Sequence, residues 1–168
     1  MPASGDQPSG RPRPSLRLRE LGLELPPAPK PLGAYVPTSQ VGELLFLSGM
    51  LPLEHGKLAI TGRLGADLTV AQGREAARLA ILNALAVVDE YLPGLDRVSG
   101  VVRVAVSMVT TPEFGNHAAV ADGASELLAH IFGKDPGHTR LVAGIQSLPF
   151  GAPLVIELIF RVSDTPAN

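Results

Sequence analysis

Three kinds of side chain in this 168-residue sequence have the chemistry to hold or transform a ligand: one arginine, one acid and four histidines. Arg140 follows the turn-forming run Asp-Pro-Gly-His at 135–138 and opens an apolar stretch. A guanidinium at a strand end can grip a carboxylate or phosphate through two parallel hydrogen bonds. The commoner fate of such a residue is an ion pair within its own protein. Glu157 stands between Ile156 and Leu158 inside an apolar run. A charge in such a setting persists when it is paired. Arg161 or Arg103 at a subunit contact is therefore one reading of Glu157, and direct catalysis is the other. The histidines at 55, 117, 130 and 138 form no pair at helical spacing four, and there is no cysteine to assist them. They imply no metal, and structural or exposed roles are expected. Absence of cysteine also excludes disulfides and a thiolate nucleophile. Neither glycine-rich phosphate loop, GxxxxGK[ST] or GxGxxG, occurs, and no serine sits in a GxSxG elbow.

The elements that must position Arg140 and Glu157 are legible in the pattern. Residues 34–40 read as a short strand, placed at an edge by Pro37. Residues 43–48 read as a buried strand, and 57–61 as a further short one after the turn at Gly56. A helix is expected over 70–91, capped by Thr69 with Gln72 completing a capping box. Ala77, Ile81, Leu85 and Val88 form its apolar stripe, and Pro93 and Gly94 stop it. Arg74, Arg78 and Glu90 fall off the stripe.

Residues 98–109 read as a long strand. Strict alternation puts Val98, Val102, Val104, Val106 and Met108 on one face, under helices. The other face (Val101, Arg103, Ala105, Ser107, Val109) mixes apolar, small and charged residues, as a face buried against another chain would. A second helix is expected with Thr111 as cap, Pro112 at its first position and Gly133 just beyond its end. Strands over 139–147 and 154–162 close the fold. The sum is an α+β domain, a mixed sheet with two helices packed on one face.

Composition bounds the rest. Apolar residues make up 45% of the chain, enough for a sizeable core. Aromatics are 4% and the net charge is −2, which disfavours nucleic acid as a partner. No run is long and apolar enough for a membrane helix, and the first residues lack a signal peptide's apolar stretch. A cytoplasmic location is the expectation. Residues 1–31 read as a flexible Pro/Gly-rich tail and lead-in, with one or two helical turns near 16–22. The folded domain is expected over 32–163, with 164–168 a C-terminal tail.

Gly33-Ala34-Tyr35-Val36-Pro37, Leu47-Ser48-Gly49, His138-Thr139-Arg140, Leu148-Pro149 and Ile156-Glu157, in this order, resemble the Rid/YjgF family. Members are reactive-intermediate (imine/enamine) deaminases, and relatives carry the description L-PSP endoribonuclease-like. The resemblance covers residues 32–162 and points to a divergent branch. It implies a chorismate-mutase-like fold, a homotrimer, ligand sites in the clefts between subunits, and no cofactor. Active relatives hydrolyse a 2-imino acid to a 2-keto acid and ammonia. Arg140 holds the position that pairs with the substrate carboxylate, and Tyr35 and Gly49 match positions lining the cleft.

Departures accompany the matches. Where active relatives carry a water-orienting carboxylate this chain has Val155, although Glu157 is retained two residues on. A cysteine common after the arginine is Val142. The polar residue following the Ser-Gly pair is Met50, and the asparagine of the second helix is Asp122. The expected catalytic set is Arg140, Tyr35 and Glu157, and the expected substrate contacts are Arg140, Tyr35, Gly49, Met50 and Asp122. The resemblance thus implies a 2-imino acid deaminase. A non-catalytic binder of small carboxylates is the alternative, and an endoribonuclease the least favoured reading.

Overall fold

The computed structural model describes residues 13–135 and 137–163. In chain order the elements are α1 (Pro14–Glu20), β1 (Thr38–Val41), β2 (Leu44–Leu47), β3 (Leu53–Glu54), β4 (Lys57–Leu58) and α2 (Val70–Tyr91). A 3-10 turn (Leu95–Arg97) leads to β5 (Val98–Val109), followed by α3 (His117–Phe132), β6 (Thr139–Ile145), a second 3-10 turn (Pro149–Gly151) and β7 (Leu154–Val162). Five strands form one sheet in the order β1-β2-β7-β5-β6, and β3 and β4 form a separate hairpin. Only β6 runs parallel to its neighbour, β5; the other pairs are antiparallel. The sheet is therefore mixed, with β1 and β6 at its edges.

Helix α2 has the expected bounds. Thr69 Oγ1 accepts from the Gln72 N–H at 3.2 Å while Gln72 Oε1 accepts from the Thr69 N–H at 2.9 Å. Ala77, Ile81, Leu85 and Val88 are fully buried, and β7 supplies Leu154, Ile156, Leu158 and Phe160 beneath the helices. Arg74 bridges the two long helices, donating to Ala119 O at 2.9 Å and Glu126 Oε2 at 2.6 Å. The helices touch closely at Gly123, where any Cβ would fall inside the Arg74 backbone.

Four expectations change. β1 begins at Thr38 rather than 34, because Gly33–Tyr35 is a turn closed by Tyr35 N–H to Gly33 O and Pro37 has no N–H to give a ladder. Helix α3 begins at His117, not after Thr111. The Thr111 N–H is committed to Leu64 O, Thr110 bridges to Leu64, and a turn from Thr111 to Phe114 follows. Asn116 takes the cap position without a side-chain bond, while Gly133 ends the helix as expected. In β5 the alternation breaks: register shifts fall between Val98 and Gly100 and between Val101 and Arg103. These irregularities rotate the strand by one residue, so Val101 joins the core cluster in place of Val102.

The fourth change concerns the lead-in. Residues 1–12 and 164–168 lie outside the described residues. The helical turns expected near 16–22 are present as α1, but they are packed rather than flexible: Leu18 is buried, and Ser15 bonds Asp96 through both its N–H (3.0 Å) and Oγ (2.6 Å). The Arg17 Nε–H donates to His130 O at 3.2 Å, tying α1 to α3. The packed body thus begins well before Leu32, because α1 adds Leu18 to the core cluster and Leu23, Leu25 and Ala28 pack against it.

Candidate ligand site

Arg140 lies on β6, paired in register with Val104 of β5. That register turns the Arg140 side chain to the helix-covered side of the sheet, over α3. There Nη1 donates to Asp122 Oδ1 at 2.7 Å and to Ser125 Oγ at 3.1 Å. Asp122 and Ser125 are three residues apart on α3 and so share one face. The Nε–Nη2 edge of Arg140 makes no hydrogen bond to a described residue. The ion pair is partly open, with side-chain exposure of 26% for Arg140 and 43% for Asp122. Solvent screening at this exposure leaves it worth about 0–1 kcal/mol.

His138 extends this group. Its Nε2 lies 3.0 Å from Ser125 Oγ. Burial lowers the His138 pKa below its ordinary value, and the Arg140 charge adds to the effect. A neutral imidazole suits the network. Arg140 can only donate, so Ser125 Oγ accepts from it and can give its own proton to an unprotonated Nε2. The sequence reading missed Ser125 and the role of His138; the only available signal was the Asp122/Ser125 spacing. Val142, two residues after Arg140, packs half-buried against the core.

The other expected residues gather elsewhere. Tyr35, Ser48, Gly49 and Met50 line a cavity of about 50 Å³ with Lys30 and Leu32, and neither Arg140 nor Asp122 lines it. Tyr35 is half-exposed, and its Oη accepts from the Leu32 N–H at 3.2 Å, leaving its proton free to donate. Met50 is buried in the core cluster and its backbone is bonded in both directions to Ile156, at 2.8 and 3.0 Å. Its side chain belongs to the core as well as to the cavity wall. Gly49 abuts Val155 so closely that a Cβ there would stand 2.6 Å from Val155 Cγ2. The Val155 side chain therefore fills the space next to Gly49.

Glu157 opens onto the sheet face away from the helices. It lines a concavity of about 250 Å³ with Phe46, Arg103, Ala105 and Ile159. It forms no ion pair with Arg103 or Arg161, although Arg103 lines the same concavity. A single chain thus holds Arg140 with Asp122, Tyr35 with Gly49, and Glu157 with Arg103 as three separate groups. Among the described residues no cluster of three His, Asp or Glu is placed to hold a metal ion, and no helix is long and apolar enough to cross a membrane.

Helices on one face of a mixed sheet, with a parallel edge strand carrying the arginine, define an α+β protein of chorismate-mutase-like architecture. The family model described as "YjgF/chorismate mutase-like, putative endoribonuclease" matches residues 15–161, and the chain belongs to this YjgF/Rid family. Protein TCP17 of Trypanosoma cruzi is 37% identical over 153 residues, covering 90% of this chain and 96% of the relative. The crystal structure of a "putative endoribonuclease" from Shewanella oneidensis superposes with a TM-score of 0.85 at 37% identity, over 89% of this chain and 99% of that one. Escherichia coli TdcF with bound serine shares the fold at a TM-score of 0.58 and 22% identity, over 81% of this chain and 94% of that one.

Proposed function

We propose that the protein hydrolyses 2-imino acids to 2-keto acids and ammonia, in a homotrimer whose intersubunit clefts join the groups that one chain keeps apart. The observation that carries this reading is the posture of Arg140. Asp122 and Ser125 hold Nη1, which fixes the guanidinium plane, while the Nε–Nη2 edge makes no hydrogen bond to a described residue and is the fork a substrate carboxylate would take. Tyr35, anchored through Leu32, offers its hydroxyl proton to the imine nitrogen. Water adds to the imine carbon, a proton moves to nitrogen, and the carbinolamine collapses to ketone and ammonia. Imines react readily with water, so holding the substrate beside one oriented water is most of the task. Glu157 would reach that water from the open sheet face of an adjoining copy. The serine in TdcF belongs to that protein, and a small 2-imino acid is the chemical class proposed here.

A second reading is favoured by one contact. Val155 against Gly49, with Val142 beside Arg140, leaves the clamp and removes polar groups around the reacting carbon. That describes a binder of small carboxylates without turnover. Ammonia release from 2-iminobutyrate generated in situ separates the two. The deaminase reading expects wild-type acceleration that Arg140→Ala lowers by about two orders of magnitude, the scale of a lost positioning contact. Calorimetric binding of 2-ketobutyrate without turnover, abolished by Arg140→Ala, selects the binder. Absence of both activities removes both readings. An endoribonuclease is disfavoured by the net charge of −2 and the 4% of aromatics.

A further inference from the structure

Asn83, in the middle of α2, is the one polar side chain buried to 3% exposure among the described residues. Its Nδ2 donates to Leu79 O and Leu53 O at 2.9 Å, with Leu51 O at 3.4 Å. Three carbonyls around one amide group fix its orientation, since turning it over would set oxygen against oxygen. Oδ1 therefore points away from them, and it accepts no hydrogen bond from a described residue. No fully occluded side-chain polar atom lacks a partner among those residues. The small access that Asn83 keeps thus belongs with its unbonded oxygen.

The space beside Asn83 is a cavity of about 340 Å³. The run Pro26–Lys30 forms one wall, and Leu32, Leu53, His55 and Gly56 complete it. The volume lies at the small end of the range for ligand sites, and the plan is theirs: an apolar lining with few convergent polar groups. Rigid proline rings offer flat surfaces at little entropic cost. Lys30 is exposed at the rim and pairs with no acid among the described residues. We propose that this cavity is a second binding site, for a small molecule combining a flat apolar body, an N–H or O–H donor for Asn83 Oδ1, and a carboxylate for Lys30. It shares Pro29, Lys30, Leu32 and Leu53 with the cavity of Tyr35 and Gly49, so an occupant would stiffen the wall between them. The proposal does not depend on Arg140.

Indole-3-acetate carries all three groups and serves as the probe on the full-length protein. Titration should shift the Asn83 side-chain amide resonances saturably in ¹H–¹⁵N spectra. 1-Methylindole-3-acetate, which lacks the donor, should bind about tenfold more weakly, the effect of one hydrogen bond. Lys30→Met should weaken indole-3-acetate about threefold and leave uncharged indole unchanged, while Arg140→Ala leaves all three affinities intact. The change on the ligand side avoids Asn83→Ala, which would remove the amide that ties α2 to the Leu51 and Leu53 carbonyls and threaten folding. Equal affinity for the N-methyl analogue, no saturable shift, or shifts confined to the surroundings of Arg140 overturns the proposal.

Discussion

Gly49→Ala sets a single methyl group against Val155, and the cost can be worked from one distance. Gly49 has no positive φ, so alanine meets no backbone penalty there. The new Cβ would lie 2.6 Å from Val155 Cγ2, whereas carbon atoms rest about 3.5–4.0 Å apart. One partner must therefore move by roughly 1 Å. Overpacking of this size costs about 1–3 kcal/mol, set against a gain of about 0.4–1 kcal/mol from a less flexible unfolded chain. The net expectation for Gly49→Ala is a loss of about 1–2 kcal/mol. Val155→Ala, which trims a half-buried side chain, should cost about 1 kcal/mol. The double variant has no Cγ2 to strike, so it should be no less stable than Val155→Ala alone. Urea unfolding at one fixed protomer concentration, followed by circular dichroism, measures all three. The coupling in the cycle should be at least 1 kcal/mol and relieving in sign. Costs that simply add would show that Gly49 and Val155 do not share the packed contact on which the account of this cleft rests.

Further outcomes concern His138 and the glycines at positions 123 and 100. His138 has a depressed pKa when folded, so the unfolded chain binds more protons between that value and the ordinary 6.5. Its contribution to stability is present above 6.5 and is lost as pH falls through the folded pKa. Arg140→Gln should move the His138 NMR titration upward without restoring the ordinary value, because burial is the larger cause; no movement refutes the link. Gly123→Ala should lower stability by about 1–2 kcal/mol despite the better helix propensity of alanine, because the obstacle is the Arg74 backbone. Gly100→Ala, with open space around it, is the control and should be close to neutral in the same unfolding assay.

Local signals were enough for most of the fold. The Thr69–Gln72 capping box and the stop at Pro93 bound α2 in the sequence as they do in the structure, because a cap is made among neighbours three residues apart. β7 has its expected bounds for a similar reason: period-two alternation is written along the strand itself. β5 keeps its expected bounds as well, although its alternation breaks near its start. The failures are equally instructive. Thr111 is a sound cap by type, yet its N–H goes to Leu64, more than forty residues earlier, and only the tertiary bond says so. The swap of Val101 for Val102 comes from irregular pairing of β5 with β7, which no pattern in β5 alone announces.

The site divides along the same line. From the sequence came the residue types: Arg140 as an anion grip, Glu157 as an acid in an apolar strand, and a family resemblance tying Tyr35 and Gly49 to them. Their grouping came from the tertiary structure. β6 lies parallel to β5, and that register carries Arg140 to Asp122 and Ser125 on α3, which hold one edge of the guanidinium. Tyr35 belongs to a turn leading into the opposite edge of the sheet, and Glu157 faces away from the helices altogether. Asn83 carried no sequence signal, since an asparagine on a helix is unremarkable until three carbonyls surround it. Periodicity reports on which face a residue lies, through contacts a few positions apart. Which partner waits across that face depends on chain segments dozens of residues away, brought together only when the sheet and helices pack.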